Sequence, residues 1–334
     1  MRRSLGVALT AALMAVFTAS CNSGSTRLVI YSGRTSNLIT PLLKQFSEET
    51  GIKIDVRYGD SAELALLVDE EGKKSPADVF ISQSPGAIGF LDSHKRLAGL
   101  DAAVLGKVEP EFRAADRRWV GLTGRVRTLV FNTEKVDRAS LPASVLDLAQ
   151  PAYKGRVALA PSNGSFQDFV STLRELVGDD EAGAWLKAMA DGGAPEYANN
   201  TAIVEAVARG EVEMGLVNHY YIARAKSEDA DTPVDTYFFS ANDPGRLLLV
   251  TAAGVLDTAD KNVEATRLIR FLLGAKAQKF FAEETFEYPL AAGQEPVGSV
   301  PPLASIAPTT FDLGRLGADL QDTLDMIDES GLGR

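Results

Sequence analysis

Cysteine and histidine are almost missing from this sequence: its 334 residues hold one cysteine, Cys21, and two histidines, His94 and His219. A lone cysteine excludes a disulfide within the chain. Two distant histidines, with no GxSxG, GxxxxGK[ST] or HExxH pattern, leave the usual nucleophile and metal-hydrolase machinery without its parts. Paired carboxylates at Glu48/Glu49, Glu70/Glu71 and Asp179/Asp180 fall at helix ends or in polar turns and read as solvated faces. An enzyme, for example a lipid-anchored hydrolase, is therefore not expected. Beyond the N-terminal region no run of roughly 20 apolar residues recurs, so no membrane span is expected in the body of the chain. Basic residues are also in deficit. Removing the first 20 residues takes Arg2 and Arg3 and no acids, leaving 32 basic against 45 acidic residues and a formal charge of −13. Nucleic acid is a poor partner for such a surface, because phosphate binding needs a basic footprint.

What the sequence does contain begins with MRRSLGVALTAALMAVFTASC: two arginines, an apolar stretch from Leu5 to Phe17, and the small residues Ala19 and Ser20 before Cys21. Residues 1–20 read as a signal peptide, too short for a membrane span. A cysteine directly after small residues resembles the lipid-modification site of bacterial lipoproteins, although Thr18 stands where that pattern prefers Leu. Ordinary cleavage beside a free cysteine is the alternative. Residues 21–26, CNSGST, are then the lipidated cysteine and a flexible tether. The remaining stretch of about 310 residues is twice the usual domain size, so two lobes are expected.

Short β-rich runs alternate with helical periods, which predicts an α/β protein with mainly parallel sheets. The predicted strands are 28–32, 52–58, 78–82, 127–132, 156–160, 212–218 and 234–239. Between the first two, Leu38, Leu42, Leu43 and Phe46 recur at helical spacing and Gly51 marks a stop. A second helix is predicted over 201–211, with Asn200 available as its N-cap and Gly210 at its end. In open α/β sheets, ligands settle beyond the carboxyl ends of strands. That places candidate site segments at 32–35, 82–84, 161–165 and 218–221. The last contains adjacent tyrosines, Tyr220 and Tyr221, in LVNHYYIA; in a strand their side chains would point to opposite faces.

Nine segments, LVIYSGR (28–34), TGIKIDV (50–56), SPADVFIS (75–82), WVGLTGRVR (119–127), VFNTEKV (130–136), APSNGSF (160–166), GLVNHYYIA (215–223), NDPGRLLLVTAAGVL (242–256) and EYPLA (287–291), run in family order across nearly the whole chain. Together they resemble the ferric-iron-binding proteins of bacterial iron ABC transporters, within the periplasmic solute-binding proteins. The resemblance implies a type II-like periplasmic-binding-protein fold, two α/β lobes joined by hinge strands near Val126–Asn132 and Thr236–Ser240. One lobe is expected over 27–127 plus 241–304 and the other over 128–240 plus 305–334. Closure of the lobes over a ligand is the expected motion, and the closed form is what an ABC transporter permease would recognise.

By the same resemblance Tyr220 and Tyr221 supply two phenolates to one Fe³⁺, a hard cation that favours anionic oxygen. The family's other ligands do not carry over. Thr35 stands where one branch has His, Gln83 where it has Glu, and Phe131 where another branch has a third Tyr. His219 corresponds to a family Asn that is no ligand, so it joins Thr35, Gln83 and Phe131 as a possible cleft residue. Two phenolates leave about four octahedral positions open. A synergistic anion such as carbonate, phosphate or citrate, or capture of a ferric chelate, is expected to fill them. PSNGSF (161–166) looks like the family's anion cradle, and Ser84, Asn163, Gly164, Ser165, Asn200 and Asn218 match its contact positions. Arg125 and Arg127 either face the cleft or bridge the lobes, and Arg125, if it faces the cleft, is expected to join the anion contacts. The sequence thus predicts an exported monomer, lipid-anchored at the cell envelope, in the periplasm or on the outer face of the cytoplasmic membrane. The rival binding class is a small organic ligand such as thiamine, a phosphonate or a carboxylate.

Overall fold

The structure, a computed structural model, describes residues 27–334 except 292, 294, 299, 310–312, 318, 319 and 334. The expected leader, Cys21 and tether lie outside the described residues. The chain opens with β1 (Arg27–Ser32), α1 (Thr40–Thr50), β2 (Lys53–Tyr58), α2 (Ser61–Glu71), β3 (Val79–Ser82) and α3 (Pro85–Ser93). β1 pairs in parallel with β2 and β3, as helical crossovers require. Every residue of β3 is buried, the mark of a central strand covered on both faces, whereas β2 at the sheet edge keeps Lys53, Asp55 and Arg57 exposed. α1 buries Leu42, Leu43 and Phe46, and Gly51 ends it with φ 73°.

After the short α4 (Ala102–Leu105), β4 (Trp119–Asn132) runs for 14 residues, all buried. The next elements are β5 (Val157–Ala158), α5 (Gly164–Val177), α6 (Asp179–Asp191), α7 (Asn200–Ala208), β6 (Met214–Asn218), α8 (His219–Glu228) and β7 (Val234–Tyr237). The chain then returns through β8 (Leu248–Val255), α9 (Asn262–Leu272), α10 (Ala275–Glu283) and β9 (Tyr288–Pro289), and finishes with α11 (Leu303–Ile306) and α12 (Leu320–Ser330). β4 serves both lobes. Trp119–Val126 pairs with β8, and Arg127–Phe131 pairs with β6, so one continuous strand passes from the first sheet into the second. The strand order is β2-β1-β3-β8-β4-β6-β5, with β7 and β9 also on β4.

Two points differ from the sequence reading. Among the described strands three pairings are parallel and five antiparallel, so the sheets are not mainly parallel. The reason is β4 and β8, which run in opposite directions alongside each other and turn the sheet at the crossing. The second point concerns the tail. Ile306, Leu313, Leu316 and Leu320 join the first-lobe core, with Leu28, Phe80 and Trp119, whereas Ile327 and Leu332 join the second-lobe core around Phe166 and Trp185. The segment expected on the second lobe therefore straddles both. Glycine permits this contact: a Cβ on Gly89 would lie 2.0 Å from the Leu316 carbonyl oxygen, and Gly317 adopts φ +108°.

Candidate ligand cleft

β6 ends at Asn218, paired with Arg127 of β4, and α8 begins at the next residue. Within a helix adjacent side chains diverge by about 100° instead of 180°. The tyrosine pair therefore escapes the strand problem: the rings of Tyr220 and Tyr221 stack with centroids 4.1 Å apart and planes at 30°. Both are buried, Tyr220 completely, and the Tyr220 phenol oxygen has no hydrogen-bond partner. Burial pushes its pKa well above the ordinary tyrosine value, Tyr221 and Glu287 add to that, and Arg34 and Arg125 oppose it.

His219, in the same helical turn, is fully engaged by main chain. The Val126 N–H donates to Nδ1 at 3.1 Å, and Nε2–H donates to the Phe286 carbonyl at 3.0 Å. Burial lowers its pKa to about 4, so the ring is neutral. It ties α8 to the hinge strand and is not a free cleft ligand. Phe131 is also displaced from the expected cleft: it lies in the second-lobe core with Leu129, Leu216 and Phe239.

Around the tyrosines lie three buried arginines and two buried carboxylates. Arg34 forks onto Glu287, Nη1 to Oε1 at 2.7 Å and Nη2 to Oε2 at 2.6 Å, and also donates to Thr251 Oγ1 at 2.7 Å. Burial opposes ionisation of Glu287, but Arg34 and then Arg125 hold its pKa below the usual range. Arg125 donates to Ser165 Oγ at 3.3 Å and Thr251 Oγ1 at 3.0 Å, and its Nη2 is 3.9 Å from Asp168 Oδ2. Arg127 donates to the Leu216 carbonyl at 3.2 Å and sits 5.9 Å from the centroids of Phe166 and Phe169. Burial, then the neighbouring Arg125, lower its pKa to about 9. Asp168 is raised to about 7 by burial, against the pull of Arg125.

Buried polar atoms without partners are rare because each costs on the order of 1–3 kcal/mol. Here they converge. Arg34 Nε, Gln83 Nε2, Arg125 Nη2, Arg127 Nε, Asp168 Oδ2, Asn200 Oδ1 and the Tyr220 hydroxyl are seven of the ten such atoms among the described residues. Four of the seven can only donate, so the cleft is built for an acceptor-rich, anionic partner.

The proposed cradle residues meet at this place. Asn163 caps α5 by accepting from the Ser165 N–H at 3.1 Å, and it also accepts from Asn200 Nδ2 at 3.2 Å. Asn218 Nδ2 donates to Ser165 Oγ at 3.0 Å. Ser84 caps α3. The N-cap of α7 is Asn199, not Asn200: its side chain accepts from the Ala202 N–H at 3.0 Å, which leaves Asn200 free to point inward, fully buried. Gly164 admits a close approach across the cleft, since a Cβ there would be 3.2 Å from Ser84 Cβ. Arg34, Thr35, Gln83 and Asn163 line a cavity of about 340 Å³ at the mouth. No cluster of three His, Cys, Asp or Glu side chains able to hold a metal occurs among the described residues. A larger cavity, about 860 Å³ beside Asp92, Arg113 and Trp119, shares no lining residue with this site.

Arg34, Asp168 and Glu287 were not singled out from the sequence as site residues. Glu287 lies 253 positions from Arg34, and no local pattern signals such a pair.

The family model for bacterial extracellular solute-binding proteins matches residues 74–311. The chain belongs to this family. Among the solute-binding proteins it resembles, the Fe(3+)-binding periplasmic protein of Serratia marcescens is 35% identical over 97% of this chain and 96% of its own length. The structure of iron-bound HitA from Pseudomonas aeruginosa superposes with a TM-score of 0.87 at 32% identity, covering 92% of this chain and all of that one. A Trichodesmium protein in complex with iron and citrate ligands superposes at 0.74 with 29% identity, covering 91% and 99%. The two-lobe periplasmic-binding-protein fold, with its curled sheet, is common to this solute-binding protein and to those structures.

Proposed function

We propose that this protein is a non-enzymatic carrier that captures ferric iron outside the cytoplasm and delivers it to an ABC transporter permease. Tyr220 and Tyr221 are the protein's metal ligands, and an exogenous oxygen-donor anion or a citrate-type chelate completes the coordination. The observation that carries this reading is the stacked, buried tyrosine pair set among three buried arginines and only two buried carboxylates. Two phenolates leave Fe³⁺ with one positive charge, and the arginines exceed Asp168 and Glu287 by another. A bound anion balances both, and the partnerless donors of Arg34, Gln83, Arg125 and Arg127 supply its contacts. The first turn of α8 adds the positive end of a helix dipole beneath the phenols.

Serine and asparagine at 84, 163, 165, 200 and 218, with the Gly164 backbone, form the anion's side of the cleft. Thr35 and Gln83 hold the mouth. Export through residues 1–20, lipid attachment at Cys21, a monomeric state and lobes over 27–127 plus 241–304 and 128–240, bridged by the tail, complete the proposal. The donor-rich cleft also suits a small organic carboxylate or phosphonate, which is the second reading.

Titration with ferric citrate, and with a ferric salt in anion-free buffer, separates the possibilities. A broad visible band that needs the anion supports the proposal. A full-strength band without any anion removes the anion's role, and a colourless protein removes iron.

A further inference from the structure

Asp168 plays no part in the ligand set proposed above, yet it is buried and touches three elements. It rides on α5, whose neighbouring Phe166 and Phe169 sit in the second-lobe core. Its Oδ1 accepts from Ser84 Oγ, at the N-cap of α3, and, at 3.0 Å, from the Gly86 N–H in the first turn of that helix, whose Ala87, Ile88 and Phe90 belong to the first-lobe core. Its Oδ2 lies 3.9 Å from Nη2 of Arg125 on the hinge strand. Gly86 is what allows the approach: a Cβ there would lie 2.7 Å from Oδ1.

We propose that Asp168 is a positioning residue, the latch that holds the two lobes closed and keeps Arg125 aimed into the cleft. Opening the lobes separates α3 from α5 and strips the carboxylate of both donors at once. The latch is made within the protein, so it biases closure before any ligand arrives, and a ligand then has less ordering left to do. The iron reading of the cleft supplies its purpose, but the contacts themselves do not depend on it.

Small-angle scattering of the ligand-free protein tests the latch. Asp168→Ala should enlarge the radius of gyration, whereas Asp168→Asn, which retains an Oδ1 acceptor, should match the parent. Equal radii for the parent and a natively folded Asp168→Ala would overturn the proposal. If that variant does not fold, Gly86→Ala, which wedges the contact apart, takes its place under the same two outcomes. With ferric citrate loaded, Asp168→Ala should release iron to a competing chelator about tenfold faster, equivalent to a loss of about 1.4 kcal/mol, with an unchanged visible band. A shifted band would place Asp168 in the ligand set and also overturn the latch. Absence of any band in the parent would remove iron from the cleft while leaving the scattering comparison decisive.

Discussion

His219 and Tyr220 are neighbours in one helical turn, both buried and both polar, and they meet opposite fates. The histidine has each ring nitrogen matched to main chain, whereas the tyrosine hydroxyl has nothing. A satisfied buried polar group is part of the scaffold. An unsatisfied one carries a desolvation cost that only a ligand or water relieves. The same contrast separates Asn199, which caps a helix, from Asn200, which does not. Chemical type alone does not tell these residues apart.

The contrast breaks first if the tyrosines prove dispensable. Replacing Tyr220 and Tyr221 together with Phe removes two hydroxyls and little packing, so the protein should fold normally and lose its visible iron band altogether. Iron affinity should fall by several orders of magnitude, because the buried carboxylates Glu287 and Asp168 are already engaged by Arg34 and Arg125. Retention of ligand by this double variant, followed by equilibrium dialysis, favours an aromatic-stacked organic molecule instead. Metal binding requires loss of the phenol proton, and the Tyr220 pKa is raised. Affinity should therefore decline as pH falls.

Next in size is the scaffold's own ion pair. Glu287→Gln leaves Arg34 buried with its charge uncompensated, which typically costs about 3–5 kcal/mol. Urea denaturation should show that loss in the ligand-free protein. A change below about 1 kcal/mol would mean that Arg34 finds another anion in the cleft.

Part of this was legible in the sequence, and part was not. Strand ends followed by SQSPG, PSNGSF and NHYY marked segments that the structure does bring together, each at the start of a helix. The antiparallel crossing escaped: WVGLTGRV and LLLVTAAGV carry glycine and no clear alternation, so periodicity gives them no direction. Phe131 shows a related limit, since matching a family position says nothing about which face of a twisted strand it occupies. Asn199 and Asn200 differ by one residue, within the ordinary uncertainty of a helix boundary, yet that residue decides which side chain caps the helix and which is buried with an unpartnered oxygen. Asp168 and the Arg34–Glu287 pair required three dimensions, because burial and partnership are set by elements far apart in the chain.

A pH series on the histidine sharpens the first comparison at intermediate cost. The folded-state pKa of about 4 lies below the ordinary 6.5, so the folded protein resists protonating His219. This contribution is complete above pH 6.5 and is lost as pH falls toward 4, amounting to about 3 kcal/mol from the 1.36 kcal/mol carried by each pKa unit. His219→Gln should flatten stability over that window while leaving the visible band in place. A band lost with the histidine would make it a ligand after all.

The smallest effect is the most discriminating, because it compares adjacent residues of one type. Asn199→Ala removes an N-cap bond to the Ala202 N–H and should cost about 1 kcal/mol in stability, with a smaller change in ligand binding than at Asn200. Asn200→Ala removes a fully buried amide whose Oδ1 has no partner and whose Nδ2 reaches only Asn163. Its stability should change little, since the orphaned acceptor and a 3.2 Å bond disappear together. Its effect belongs in the anion titration, where the concentration needed to develop the visible band should rise severalfold. If both alanine variants shift stability and neither shifts the anion requirement, Asn200 is scaffold like its neighbour. The anion must then be held from the arginine side of the cleft alone.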